Sequence, residues 1–238
     1  MTEWSILKQI KRVYLVTLFM VSLGVVRAQD RVLPNCPFHV IIALDFSASE
    51  RAFLDEIQTA LFALTDRFEL HPNSLKMGLV SFNRGAQMLL PLTGYREEMD
   101  QTIDELRIPL RVYATDIHAA FELAKDEFET RSERGIPKFF ILISDGDPHA
   151  HARGRGFMAD LSLAAMMKEG SLAEDSDPVH VFCLYSGEER PFADDDSEWV
   201  RQQAIRHMQK LASNEDSFYF FKEYPQLINL IEQISSCL

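Results

Sequence analysis

The chain has 238 residues, 47% of them hydrophobic and 25% charged, enough for one substantial core and with nothing in the composition that calls for two. Its 36 acidic against 24 basic residues give a formal net charge of −12. So acidic a surface argues against nucleic acid and anionic membrane as partners, since both are held by positive charge, and otherwise does no more than favour solubility.

Residues 1–28 read as a secretory signal peptide. Lys8, Lys11 and Arg12 precede the apolar stretch from Val13 to Val26, and Val26-Arg27-Ala28 places small residues at −3 and −1 of a cut after Ala28. The stretch is shorter than the roughly 20 residues a spanning helix needs, which favours cleavage over an anchor. Cleavage removes four basic residues and one acid, moving the net charge from −12 to −15. A short segment, 29–35, then leads into one domain, 36–238, expected to be secreted and not inserted in a membrane.

Cys36, Cys183 and Cys237 remain. Secretion permits a disulfide, and an odd count leaves one cysteine over. Cys36 precedes the first strand, Cys237 is next to last, and Cys183 falls in the apolar run Val179–Tyr185. The economical pairing is Cys36 with Cys237, with Cys183 an inert buried thiol. No Asn-x-Ser/Thr sequon occurs.

From Cys36 onward strands and helices alternate. Phe38–Leu44 is a near-continuous apolar strand, and Glu50–Leu70 carries Phe53, Leu54, Ile57, Ala60, Leu61 and Leu64 at helical spacing. His71-Pro72-Asn73-Ser74 breaks that helix. Lys76–Phe82 reads as a strand, with Ala86–Leu90 its antiparallel neighbour across Asn83-Arg84-Gly85. Tyr95–Leu106 is a polar-faced helix, and Asp116–Thr130 another that turns Ile117, Ala120, Phe121, Ala124 and Phe128 inward. Lys138–Ser144 is a second fully buried strand, followed by a helix over Gly154–Lys168 that buries Phe157, Leu161, Ala164 and Ala165. Then come the strand Val179–Tyr185, an exposed acidic loop over Gly187–Ser197, and a helix over Asp196–Leu211. A short strand, Ser217–Phe221, and a closing helix, Pro225–Ser235, end the chain. The alternation predicts an α/β, doubly wound, mostly parallel sheet with one antiparallel edge strand and helices on both faces.

In such sheets ligands bind beyond the carboxyl ends of the strands. Asp45-Phe46-Ser47-Ala48-Ser49 follows the first strand, Asp145-Gly146-Asp147 follows Lys138–Ser144, and Tyr113-Ala114-Thr115-Asp116 opens a helix between them. Two carboxylates and three hydroxyls on one edge are hard oxygen donors suited to a divalent cation with open positions. Neutral hydroxyls leave part of the charge of Mg²⁺ or Mn²⁺ uncompensated. An ion so held would accept a further anionic oxygen, such as a partner's Asp or Glu carboxylate, in place of water.

Asp45-Phe-Ser47-Ala-Ser49, Thr115-Asp116 and Ser144-Asp145-Gly146 resemble the three loops of a von Willebrand factor type A domain, in order and spacing, as found in matrilins, collagens and integrin inserted domains. The resemblance extends over residues 36–237 and implies a metal-ion-dependent adhesion site. Ser47, Ser49 and Thr115 would supply hydroxyl oxygens, and Asp45 and Asp145 would act directly or through water. It further implies a non-catalytic protein that binds an extracellular ligand, collagen or another matrix or cell-surface protein, through Mg²⁺ or Mn²⁺. Three departures bear on the ligand face: Phe46 where a small residue is common, His118 where small residues are common, and His149-Ala-His151 after the third loop. A metal-free scaffold of the same fold is the main alternative. A haloacid dehalogenase-like phosphatase would need a carboxylate two residues beyond Asp45 as proton donor, and that place is Ser47. No Gly-x-Ser-x-Gly elbow or phosphate-cradling glycine loop is present.

Overall fold

A computed structural model describes residues 36–112, 114–146, 156–170, 177–187 and 195–235. Its strands are β1 (Phe38–Asp45), β2 (Leu75–Phe82), β3 (Ala86–Thr93), β4 (Lys138–Ser144), β5 (Val179–Tyr185) and β6 (Phe218–Phe220). They form one sheet in the order β3-β2-β1-β4-β5-β6. Every pairing is parallel except β2 with β3. The helices are α1 (Leu54–Arg67), α2 (Arg96–Asp104), α3 (Ile117–Arg131), α4 (Gly156–Glu169), α5 (Asp195–Leu211) and α6 (Tyr224–Ser235).

Burial explains why the central strands are apolar throughout. All eight residues of β1 and all seven of β4 are buried. Successive side chains leave a strand on opposite faces, so β1 feeds two cores. Val40, Ile42 and Leu44 pack with Ile57, Leu61 and Leu64 of α1, Met99 and Ile103 of α2, and Ile231 of α6. Ile41 and Ala43 pack with Phe121, Ala124 and Phe128 of α3, Ala164 of α4, and Met208 and Leu211 of α5. Each large aliphatic or aromatic side chain so buried contributes about 1.5–3 kcal/mol, and the Phe121 and Phe140 rings, 4.7 Å apart, anchor the second core.

Several boundaries differ from those read from the pattern. The first helix does not start at Glu50: a 3₁₀ turn spans Ala48–Phe53 before α1 begins. Strand β3 runs through Pro91 to Thr93: it is an edge strand, and its register with β2 shifts between Leu90 and Thr93, so the proline sits at an irregularity where a missing N–H breaks no regular ladder. Helix α4 presents Asp160, Leu163, Ala164 and Met167 inward, while Leu161 and Ala165 are only half-buried. The side chain of Phe157 lies outside the described residues. Of the expected Gly187–Ser197 loop, Gly187 is buried, 188–194 lie outside the described residues, and α5 already begins at Asp195. Among the described residues no helix is long and apolar enough to cross a membrane.

Candidate metal centre

Parallel packing of β1 and β4 brings their carboxyl ends side by side, and the loops leaving them meet there. Asp45, the last residue of β1, is 1% exposed. Its Oδ1 accepts from the Ser47 backbone N–H at 2.8 Å, and its Oδ2 accepts from the Ser144 hydroxyl at 2.6 Å. The Thr115 hydroxyl lies 3.4 Å from the same Oδ2. The Ser47 and Ser49 hydroxyls are 2.8 Å apart, and Ser49 Oγ donates to Asp145 Oδ2 at 2.7 Å. The five residues expected at a metal site therefore share one continuous hydrogen-bond net.

Local sequence accounts for the placement. Ser47 stands at the N-cap position of the 3₁₀ turn, yet its hydroxyl makes no cap bond. Helix capping thus does not explain it. Asp116 is the residue that caps: its carboxylate accepts from the Ala119 N–H at 3.1 Å and starts α3 immediately after Thr115. The loops are pinned by their backbones, Ala48 N to Val112 O at 2.6 Å and Asp116 N to Asn83 O at 2.6 Å. Gly146 has φ +61°, a conformation that favours glycine, and its N–H donates to Ser144 Oγ at 2.9 Å.

Two further groups escaped the sequence reading. Glu50 is fully buried, and its Oε1 accepts from the hydroxyl of Ser186, just beyond β5, at 2.9 Å. Asp45, Glu50 and Asp145 each offer a carboxylate oxygen, the three lying within 4.8 Å of one another. An acid in the first turn of a helical pattern reads as a dipole-complementing surface residue, which hid Glu50. Ser144 stands in the third loop of the resemblance without a role of its own there, and the structure shows its hydroxyl orienting Asp45. Burial, and next the negative charge of Asp145, push the Asp45 carboxyl up to about 7, against the pull of the Ser144 and Ser47 hydrogen bonds. Crowded, desolvated acids among hydroxyl oxygens are a donor set that fits a divalent cation.

The expected ligand-face residues fare differently. Phe46 is 7% exposed and packs in the core with Ile57 and Leu61, so its ring is committed beneath the edge and not displayed on it. His118 is half-buried at the start of α3, with Nε2 3.4 Å from Glu122 Oε1 and Nδ1 3.8 Å from Asp160 Oδ1. Asp160 also meets His207 Nε2 at 3.2 Å, so His118 belongs to a cluster joining α3, α4 and α5. His149 and His151 lie outside the described residues, as does Cys237. Cys36 is half-buried ahead of β1, and Cys183 is buried and free, as expected.

The sequence profile of the von Willebrand factor type A domain matches residues 39–233. The chain belongs to that family. Human matrilin-4 is 26% identical over 178 residues, which is 64% of this chain and 28% of matrilin-4. The chain thus spans well under a third of that relative's length. Among solved structures, proximal thread matrix protein 1 from the mussel byssus superposes with a TM-score of 0.62 at 18% identity, covering 84% of this chain and 47% of that one. A form of the same mussel protein with a zinc-occupied metal-ion-dependent adhesion site also gives 0.62, at 15% identity, over 84% and 46%. BatB from Bacteroides thetaiotaomicron gives 0.58 at 20% identity, over 83% and 98%. At these identities the structures establish that the type A fold is shared.

Proposed function

We propose that this type A domain is a secreted, non-catalytic protein that binds an extracellular protein through a divalent cation, Mg²⁺ or Mn²⁺, at the carboxyl edge of its sheet. The observation that carries this reading is the single net joining Asp45, Ser47, Ser49, Thr115 and Asp145, drawn from three separate loops. Ser47, Ser49 and Thr115 would offer neutral hydroxyl oxygens, and Asp45 and Asp145 would act directly or through water. Ser144 and the Ser47 N–H hold the Asp45 carboxylate in one orientation before any ion arrives. The bound cation would supply an electrophilic position open to a partner's oxygen.

A protein partner accords with the surface. Leu110, on the loop leading to Thr115, and Met158 and Trp199, near the starts of α4 and α5, are exposed large apolar residues. Helices that follow parallel strands begin at the carboxyl edge, so Met158 and Trp199 fall toward the same end of the sheet as the site. The signal-like residues 1–28 and the likeness to matrilin-4 support secretion and a matrix or cell-surface ligand such as collagen. A Cys36–Cys237 bridge is the pairing left once Cys183 is buried and free.

Calorimetric titration of the purified domain with Mg²⁺ and Mn²⁺ tests the assignment. Asp45→Ala should abolish binding while circular dichroism keeps its wild-type form. Unchanged affinity in that variant sinks the reading. Capture of extracellular-matrix proteins should be lost in chelator; capture that survives both chelator and Thr115→Ala favours the metal-free scaffold. Hydrolysis of p-nitrophenyl phosphate that disappears in Asp45→Asn would favour the phosphatase.

A further inference from the structure

We propose that Glu50 acts as a third carboxylate toward the ion of this site and lowers its residual charge, so that the partner is met through a neutral oxygen and not through a carboxylate. This rests on the metal-dependent reading above. It reverses one of its natural corollaries, the acidic partner group.

The argument is a charge count on a fixed geometry. Asp45 and Asp145 alone would bring a divalent ion to neutrality, and a partner's carboxylate would then leave the buried site with one surplus negative charge. With Glu50 present the three acids already exceed the ion by one charge, one oxygen of each lying within 4.8 Å of the others. A fourth carboxylate would leave two surplus charges in a desolvated pocket, where uncompensated charge is costly. A carbonyl, amide or hydroxyl oxygen adds none. Glu50 is also positioned for the role. It is the residue directly after Ser49, it is fully buried, and the Ser186 hydroxyl holds its Oε1 at 2.9 Å. Ser186 is itself tied to the site, its N–H donating to the Ser144 carbonyl at 3.1 Å. The end of β5 thereby becomes a fourth segment at the site, beside the three loops that the family pattern supplies.

The test uses Mn²⁺ and acetate on the whole domain. Calorimetry gives the Mn²⁺ affinity of wild type, Glu50→Gln and Asp45→Ala, and water-proton relaxation by bound Mn²⁺ reports whether acetate displaces a water ligand. Glu50→Gln is expected to bind Mn²⁺ at least about tenfold more weakly, ~1.4 kcal/mol, and to take up acetate that the loaded wild type ignores. Its melting temperature in chelator should equal or exceed that of wild type, because one of three like charges is gone. Wild-type Mn²⁺ affinity in Glu50→Gln overturns the proposal, as does acetate uptake by the loaded wild type. If Glu50→Gln does not fold, Ser186→Ala decides instead: weaker Mn²⁺ binding supports the proposal and wild-type affinity overturns it. Failure of the underlying reading looks different, since Mn²⁺ would then bind neither to wild type nor differently to Asp45→Ala.

Discussion

His39 offers a test of the fold that is independent of the metal. It is the second residue of β1, 2% exposed, with Nδ1 2.7 Å from Ser132 Oγ and Nε2 3.5 Å from Glu133. In the sheet it stands opposite Lys76 on β2 and Lys138 on β4. Burial first, then the charge of Lys76, lower its pKa from 6.5 to about 4, with Lys138 adding to the effect and Glu133 opposing it. A base whose pKa is lower in the fold binds its proton more readily in the unfolded chain. Stability is therefore unaffected above pH 6.5, falls as pH drops from 6.5 to about 4, and is flat below that. At about 1.4 kcal/mol per pH unit the loss by pH 4 is roughly 3 kcal/mol. The perturbation is His39→Gln, which cannot titrate, and the assay is urea unfolding in chelator at pH 7.5 and pH 4. The raised carboxyl of Asp45 acts with the opposite sign, since metal-free protein gains stability as pH falls through 7, but it is present in both proteins and cancels in the difference. The stability of wild type relative to the variant should drop by about 3 kcal/mol between the two pH values, with equal m-values. Parallel profiles would refute the burial argument for His39.

Gly94→Ala should destabilise by at least about 3 kcal/mol in the same unfolding assay, because a Cβ there would collide with the backbone of His71 and Pro72, which cannot yield as a flexible side chain does. Cys36→Ser/Cys237→Ser should lose up to ~5 kcal/mol of stability if those residues are bridged, the loop being some two hundred residues long. The same variant should also change ligand affinity if the bridge restrains α6, and matching affinity together with two free thiols by mass spectrometry would dismiss the tether.

The fold was largely legible because its determinants are local. Two apolar strands buried on both faces, β1 and β4, cannot be mistaken for the alternating pattern of a half-exposed sheet, and the inward face of α3 follows directly from its spacing. What escaped was decided by neighbours. The inward face of α4 carries Asp160, which no hydrophobic periodicity would select, because His207 from α5 meets it. Phe46 reads as a residue beside the metal, but β1 hands it to the core of α1.

The same division runs through the site, and it matters more there. Asp45, Ser47, Ser49, Thr115 and Asp145 carry a family pattern because their spacing along three loops is what places them together. Glu50 carries no such signal. Its carboxylate is met by Ser186, 136 residues away, at the end of a strand that the sheet order sets beside β4. Without that contact a glutamate at the start of a helical turn would be expected to turn to water. If Glu50 serves the ion as proposed, a pattern built on the three loops leaves out one carboxylate and so puts the charge of this site one too low. Since hydroxyl oxygens position an ion while carboxylates set how much of its charge is left for a partner, the omission falls on the quantity that selects the ligand. Two domains with the same three loops could then hold the same cation and still differ in the group they accept from a partner.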